Sequence, residues 1–351
     1  MVEPLHRPEP PDFDRFRRVM LGEPSRGYVP FFEMIANYFE PLSGLEAPEG
    51  LDFSPTSPAF EESFAYYLRA MARMGYDVGL LNLPGFEGFP APHPAGGVQA
   101  EDGVIRTFED FEDYPWPSPD QVDLEVLRRT AEGAPEGMGV FTGGPAPFQL
   151  MMDQLLGFNR LALLLYDGPE LVEAVADRIG TIMVEIADRA CSLDCIDGFL
   201  FSGDMGYKTG TMIDPEALRR YILPWHRRVC ETAHRHGKLV VLHSCGNLEA
   251  IMGDLVECGY DGKHSFQDSI EPGIIELHRR YGEEMCMLGG VDVDLLSRGT
   301  EKEIRRRVRH FIDEMGDHGY MLGSGNSIPD YVPIEGYRAM LEEGLRYGRP
   351  A

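Results

Sequence analysis

Eight short apolar runs alternating with helical stretches constrain this chain more than any other feature. The runs cover residues 28–32, 77–83, 139–144, 196–202, 238–242, 261–266, 285–289 and 320–322. Between and around them, apolar residues recur at i, i+4 and i+7, as with Phe60, Phe64, Tyr67, Leu68 and Met71. That spacing predicts helices over 12–21, 59–74, 124–131, 148–156, 169–193, 215–236, 248–258, 272–281, 301–315 and 334–347. Gly75, Gly237, Gly259 and Gly319 stand before strands, where helices end in the left-handed region. The alternation argues for a parallel sheet with helical crossovers. Eight units in one chain predict an α/β fold of the (β/α)8 TIM barrel type, a single domain over residues 1–351. An open doubly wound sheet is the alternative. It requires a glycine-rich GxGxxG turn after the first strand, and none is present.

Composition removes several classes of function. The net charge is -26, from 32 Lys+Arg against 58 Asp+Glu, so the surface repels nucleic acid and anionic membranes. The same field disfavours a highly anionic substrate. No apolar run approaches the roughly eighteen residues that a transmembrane helix requires. Residues 1–11 are rich in proline and charge and do not read as a secretory signal. The six cysteines are scattered rather than arranged as a disulfide framework, which points to a reducing, cytoplasmic setting. Cys191 and Cys195 share a helix face and read best as small apolar residues at a helix end.

Residues 84–119 form an excursion too long for an ordinary connection. It is rich in glycine, proline and aromatics, with Phe86, Phe89, His93 and the run Tyr114-Pro115-Trp116-Pro117, and strand-like character over 97–107. Two readings stand: a lid, or an ordered surface excursion.

In a barrel of this type, chemistry collects where strands end. Read in order, those ends supply Glu33, Asn82, Gly143-Gly144, Asp204, His243 with Cys245, Gln267, Asp292 and Asn326. Asp214, in front of Pro215, reads as a helix N-cap. His243 and Cys245 are two apart on a strand end and so project to one side, as a nitrogen-plus-sulfur half-site of the kind zinc takes. The alternative is a buried histidine satisfied by main chain beside an inert cysteine.

The segments His243-Ser244-Cys245-Gly246-Asn247, Gly203-Asp204-Met205-Gly206-Tyr207-Lys208-Thr209-Gly210, Tyr114-Pro115-Trp116-Pro117 and Gly325-Asn326-Ser327-Ile328-Pro329 together resemble the uroporphyrinogen decarboxylase superfamily. The resemblance runs over nearly the whole chain from Phe13, and implies a (β/α)8 barrel with a cleft at the strand C-termini. It also implies one of two activities. True decarboxylases bind an octacarboxylate porphyrinogen and use an Arg-rich segment after the first strand, an Asp after the second and a Tyr near the third. Here Phe31 to Tyr38 holds no arginine, the second strand ends in Asn82, and Asp153 stands where the Tyr is expected. Corrinoid-linked methyltransferases instead hold a thiolate on zinc, through an HxC pair, an acid near the sixth strand and a late Cys. His243 and Cys245 match the pair. Gln267 and Asn326 stand where the acid and the late Cys are expected, and amides are poor zinc ligands. Glu33, Asp204 or Asp292 is then needed to complete the set.

The resemblance therefore implies a methyltransferase that demethylates a small methylated substrate and passes the methyl group to a corrinoid or a thiol. Zinc would be held by His243 and Cys245. Asp204 and Glu33 are the expected catalytic acids or ligands, and Asn82, Gln267, Asn326 and Tyr207 the expected substrate contacts. Cobalamin would enter through a corrinoid protein partner, and a homodimer is expected because barrels of this superfamily often pair. The alternatives are a decarboxylase of porphyrin biosynthesis and a non-catalytic ligand-binding barrel.

Overall fold

The computed structural model describes residues 4–5, 9–25, 27–90, 103–316 and 318–347. The predicted hairpin over 97–107 lies largely outside these residues; its remainder, 103–107, carries no strand. Among the described residues there are nine strands: β1 Val78–Leu81, β2 Gly139–Pro145, β3 Gly198–Ser202, β4 Gly206–Tyr207, β5 Gly210–Thr211, β6 Leu239–His243, β7 Gly262–His264, β8 Cys286–Val291 and β9 Tyr320–Ser324. Seven of them form one parallel sheet in the order β1-β2-β3-β6-β7-β8-β9, while β4 and β5 make a small antiparallel hairpin. Helices Phe60–Met74, Glu301–Met315 and Ile334–Tyr347 fall where the apolar spacing places them.

The expected first strand is where the structure departs from a fully laddered eight-stranded barrel. Residues 28–32 contribute one bridge, Phe31 to Leu322 of β9. Two hydrogen bonds make it, from the Leu322 N–H to the Pro30 carbonyl and from the Phe32 N–H to the Leu322 carbonyl, both 2.9 Å. Pro30 has no N–H to extend pairing. On the facing edge of β1, the Leu80 N–H is taken by the Tyr67 hydroxyl at 3.2 Å instead of by a strand. The sheet is thus a seven-stranded curl, with the Tyr67 hydroxyl on the edge of β1.

The interior is a compact layer of inward-facing residues, among them Phe32, Val78, Phe141, Leu200, Val241, Leu288 and Met321. Phe16, Val19 and Met20 of helix Phe13–Met20 join the same layer. This helix packs at the strand N-termini, where the Phe13 N–H donates to the Gly137 carbonyl and the Gly319 N–H to the Val19 carbonyl. Its Arg15 guanidinium is buried against Tyr28 and Asp77 at 2.6 and 3.3 Å. One end of the curled sheet is therefore plugged, and the other, at the strand C-termini, carries the polar residues. Alternation along β6 assigns Val241 and His243 to the inner side and Val240 and Leu242 to the outer layer.

Candidate metal centre

The site is built by the pairing of β3 with β6. Their parallel register sets Ser202 opposite His243, so the two chains leave the sheet side by side. Beyond it they stay stitched: the Gly203 N–H donates to the His243 carbonyl (2.9 Å), Met205 N–H to Ser244 Oγ (3.0 Å), and Asn247 N–H to the Tyr207 carbonyl (2.8 Å). Gly246 turns the chain at φ +84, and a Cβ there would meet the Gly206 carbonyl carbon at 2.2 Å. Only glycine permits both the turn and the approach of the hairpin.

This stitching brings Asp204 to His243 and Cys245. One donor atom from each lies within 4.8 Å of the others, and among the described residues no other group of three or more such side chains does so. His243 Nε2 is 3.6 Å from Cys245 Sγ and 3.7 Å from Asp204 Oδ1. Zinc–ligand bonds of about 2.0–2.3 Å at tetrahedral angles require donors about 3.4–3.6 Å apart, close to the two separations from His243 Nε2. Asp204 Oδ1 also accepts the Cys245 N–H at 2.7 Å, and Gln149 Oε1 accepts the Asp204 N–H at 3.0 Å.

Three further residues act on the donors. His243 Nδ1 is 2.8 Å from His264 Nδ1. A cation on His243 Nε2 requires the proton at Nδ1, donated to His264, so the second ring fixes the tautomer of the first. Ser265 Oγ and Asn326 Nδ2 lie 3.4 and 3.3 Å from Cys245 Sγ and donate to it. Burial pushes the His243 imidazole down to about 4, with Asp204 acting in the opposite direction. Burial, reinforced by the Asp204 charge, pushes the Cys245 thiol up to about 12. Without a cation the centre is therefore a neutral imidazole beside a protonated thiol.

Other expected site residues lie elsewhere. The Glu33 carboxylate is buried and accepts from the Ser324 N–H and hydroxyl at 2.5 and 2.8 Å. Burial raises it to about 8. It follows Phe32, whose ring faces inward, and so points to the outer layer, away from the three donors. Asp292 is a helix N-cap, accepting from the Asp294 N–H at 2.8 Å, as Asp214 is for Glu216 at 3.2 Å. The Asn82 amide is held by the Phe53 carbonyl at 2.9 Å. Tyr207 stands exposed on the β4–β5 hairpin. Gln267 lines a cavity of about 20 Å³ with Lys263, Ser265 and Phe266. Asp153 sits on a π-helical turn, Met151–Leu155, and is raised by burial and by the charge of Asp204. Sequence reasoning passed over Lys263, His264, Ser265 and Gln149. A lysine and a histidine inside a short buried strand, 262–264, were the available signal.

The fold is a curled parallel α/β sheet, plugged at one end and polar at its strand C-termini, and comparison gives its family. The family model for uroporphyrinogen decarboxylase (URO-D) matches residues 93–347, and the chain belongs to that family. A methyltransferase from Methanosarcina mazei superposes with a TM-score of 0.71 at 17% identity, covering 94% of this chain and 97% of that one. A B12-independent methionine synthase from Shewanella sp. W3-18-1 superposes with a TM-score of 0.45 at 13% identity, covering 64% of each chain. An endo-1,4-beta-mannanase from Eisenia fetida does so with a TM-score of 0.47 at 11% identity, covering 93% and 96%. No curated protein matches by sequence. Among the described residues, no helix is long and apolar enough to cross a membrane.

Proposed function

We propose that the protein is a metal-dependent methyltransferase that demethylates a small methylated substrate, with a corrinoid or a thiol as the other methyl carrier. The observation that carries this reading is the Asp204–His243–Cys245 triangle at the strand C-termini. It is a three-donor set with a fourth position left for an exogenous ligand, the arrangement of catalytic rather than structural zinc. Zinc, when bound, keeps a sulfur ligand deprotonated and nucleophilic at neutral pH.

The chain's own residues have distinct parts. His243 Nε2, Cys245 Sγ and an Asp204 oxygen would hold the ion. His264 orients the imidazole of His243. Ser265 and Asn326 donate to the Cys245 sulfur and spread its charge when it is ionised. This assigns Asn326 to the sulfur, and we assign substrate contact to Tyr207 and Gln267 at the rim. Glu33 is read as the anchor of Ser324, two residues before Asn326. The acidity of Asp204 and Asp153 favours a neutral or cationic methyl donor over an octacarboxylate porphyrinogen, which calls for a basic cleft.

The test has two parts. Protein purified without added metal is analysed for zinc, nickel and iron, with about one equivalent expected. It is then incubated with reduced cobalamin and a panel of methylamine and methoxylated compounds, and methylcobalamin is followed by absorbance. Sub-stoichiometric metal overturns the reading, as does a panel that gives neither methylcobalamin nor, with 2-mercaptoethanol in place of cobalamin, a methylated thiol.

A further inference from the structure

Lys263 lies on β7, next to His264, and is only 1% exposed. A buried ammonium is costly unless something compensates it. Among the described residues no carboxylate forms a salt bridge with it, and the Asp204 charge acts on it only from a distance. Its Nζ donates to the Ser265 carbonyl at 2.8 Å and the Ser244 carbonyl at 3.2 Å, and sits 4.0 Å from the centroid of the Phe266 ring. Both carbonyls belong to backbone that flanks the metal centre. Ser244 is the residue between His243 and Cys245, and Ser265 donates its hydroxyl to Cys245 Sγ.

We infer that Lys263 is a positioning residue whose ammonium supplies the resident positive charge for an anionic fourth ligand, a thiolate, at the Asp204–His243–Cys245 centre. This rests on the metal-centre reading above. The argument is one of charge. An Asp204 carboxylate and a Cys245 thiolate together cancel a divalent cation, and neutral His243 adds nothing. A neutral fourth ligand leaves the centre balanced. A thiolate leaves one negative charge in a low-dielectric site, where an uncompensated charge is most unfavourable. The ammonium, bonded to neutral carbonyls, is free to offset that charge in a way that a salt-bridged lysine is not.

The test uses the full-length protein loaded with cobalt(II), titrated with 2-mercaptoethanol and separately with imidazole, and read by visible and near-ultraviolet absorption. Lys263→Gln keeps a hydrogen-bond donor and Lys263→Met keeps the length, but both remove the charge. Each is expected to weaken thiol binding by at least about tenfold, the order of effect of removing a nearby unit charge in a low-dielectric site. Imidazole affinity and the circular dichroism spectrum stay unchanged. Unchanged thiol affinity, or a parallel loss of thiol and imidazole binding, overturns the inference. Should both neutral variants fail to fold, Lys263→Arg decides: it retains charge and so retains thiol affinity, and loss of that affinity overturns the inference. Wild-type protein that takes up no metal overturns the metal-centre reading and this one with it. Metal uptake with unchanged thiol affinity in the neutral variants overturns this one alone.

Discussion

Asp204 and Cys245 hold one another at the mouth of the barrel: the Cys245 N–H donates to Asp204 Oδ1 at 2.7 Å, and the same oxygen lies 3.7 Å from His243 Nε2. One carboxylate thus positions the backbone of one donor and faces the ring nitrogen of another. Replacing it separates the two tasks. Asp204→Asn keeps an acceptor for the Cys245 N–H but removes the charge. Metal affinity falls by more than the tenfold to hundredfold typical of residues that only support a ligand, while thermal stability stays close to wild type. Asp204→Ala loses both. Competition against a chromophoric chelator measures the affinities, and an unchanged affinity in Asp204→Asn removes this residue from the ligand set.

The direction of the thiol shift makes metal uptake acid-releasing. With Cys245 pushed up to about 12 and His243 down to about 4, the metal-free centre at neutral pH carries a thiol proton and a neutral His243 ring whose single proton sits on Nδ1, leaving Nε2 bare. Binding ionises the thiol, so about one proton is released per ion and apparent affinity rises about tenfold per pH unit through the neutral range. An indicator dye in weak buffer reads the release. Cys245→Ser is expected to abolish it.

Glu33 sets a second pH dependence, on stability. Its carboxyl is raised to about 8 by burial, against the opposing bonds from Ser324. The folded state therefore holds the proton more tightly than the unfolded state. The stabilisation is complete below the unfolded value near 4.5 and is lost as pH rises through about 8. Glu33→Gln keeps the Ser324 partners without the charge. The stability difference between wild type and Glu33→Gln should shift by on the order of a few kcal/mol between acid and alkaline pH, at about 1.4 kcal/mol per unit. Urea denaturation across pH checks this, and a pH-independent difference overturns it.

Asn326 places its amide nitrogen 3.3 Å from Cys245 Sγ. A sulfur at this position completes a four-donor set, which is a closed site. Asn326→Cys should raise zinc affinity by at least about tenfold and abolish binding of an exogenous thiol. Isothermal titration with zinc, then with 2-mercaptoethanol on cobalt(II)-loaded protein, tests both.

At the plugged end, Arg15 is buried with Asp77 and Tyr28. Removing the guanidinium takes a charged partner from the buried Asp77 carboxylate, which keeps the Asp12 N–H and the Tyr28 hydroxyl. Arg15→Met is expected to cost about 3–5 kcal/mol of stability and to leave metal affinity unchanged, since the ion pair lies at the opposite end of the strands. Chemical denaturation and chelator competition on one variant test this together.

Much of the fold was legible because it follows from local pattern. Helices Glu301–Met315 and Ile334–Tyr347 match the apolar spacing residue for residue. Elsewhere tertiary contacts overrode it. The stretch 215–236, uniform in its spacing, contains a π-helical turn at Leu218–Ile222, and 148–156 another at Met151–Leu155. Helices Phe158–Asp167 and Val293–Arg298 lie in stretches to which the apolar spacing assigns no helix. Residues 28–32 look like a strand, yet Pro30 on one side and the Tyr67 hydroxyl across the seam reduce them to one bridge.

The sequence by itself determined the parallel strand-and-helix order, the strand ends as the place where polar groups gather, and the pairing of His243 with Cys245, since residues two apart on a strand share a side whatever surrounds them. It left the third donor open among Glu33, Asp204 and Asp292, which are similar acids at similar strand ends. Only the tertiary structure decided among them. The β3–β6 register runs Asp204 alongside Cys245, strand alternation turns Glu33 to the outer layer, and a helix N-terminus takes Asp292. Such choices depend on which chain lies beside which, and residues 204 and 245 are neighbours only because two strands far apart in sequence pair in that register.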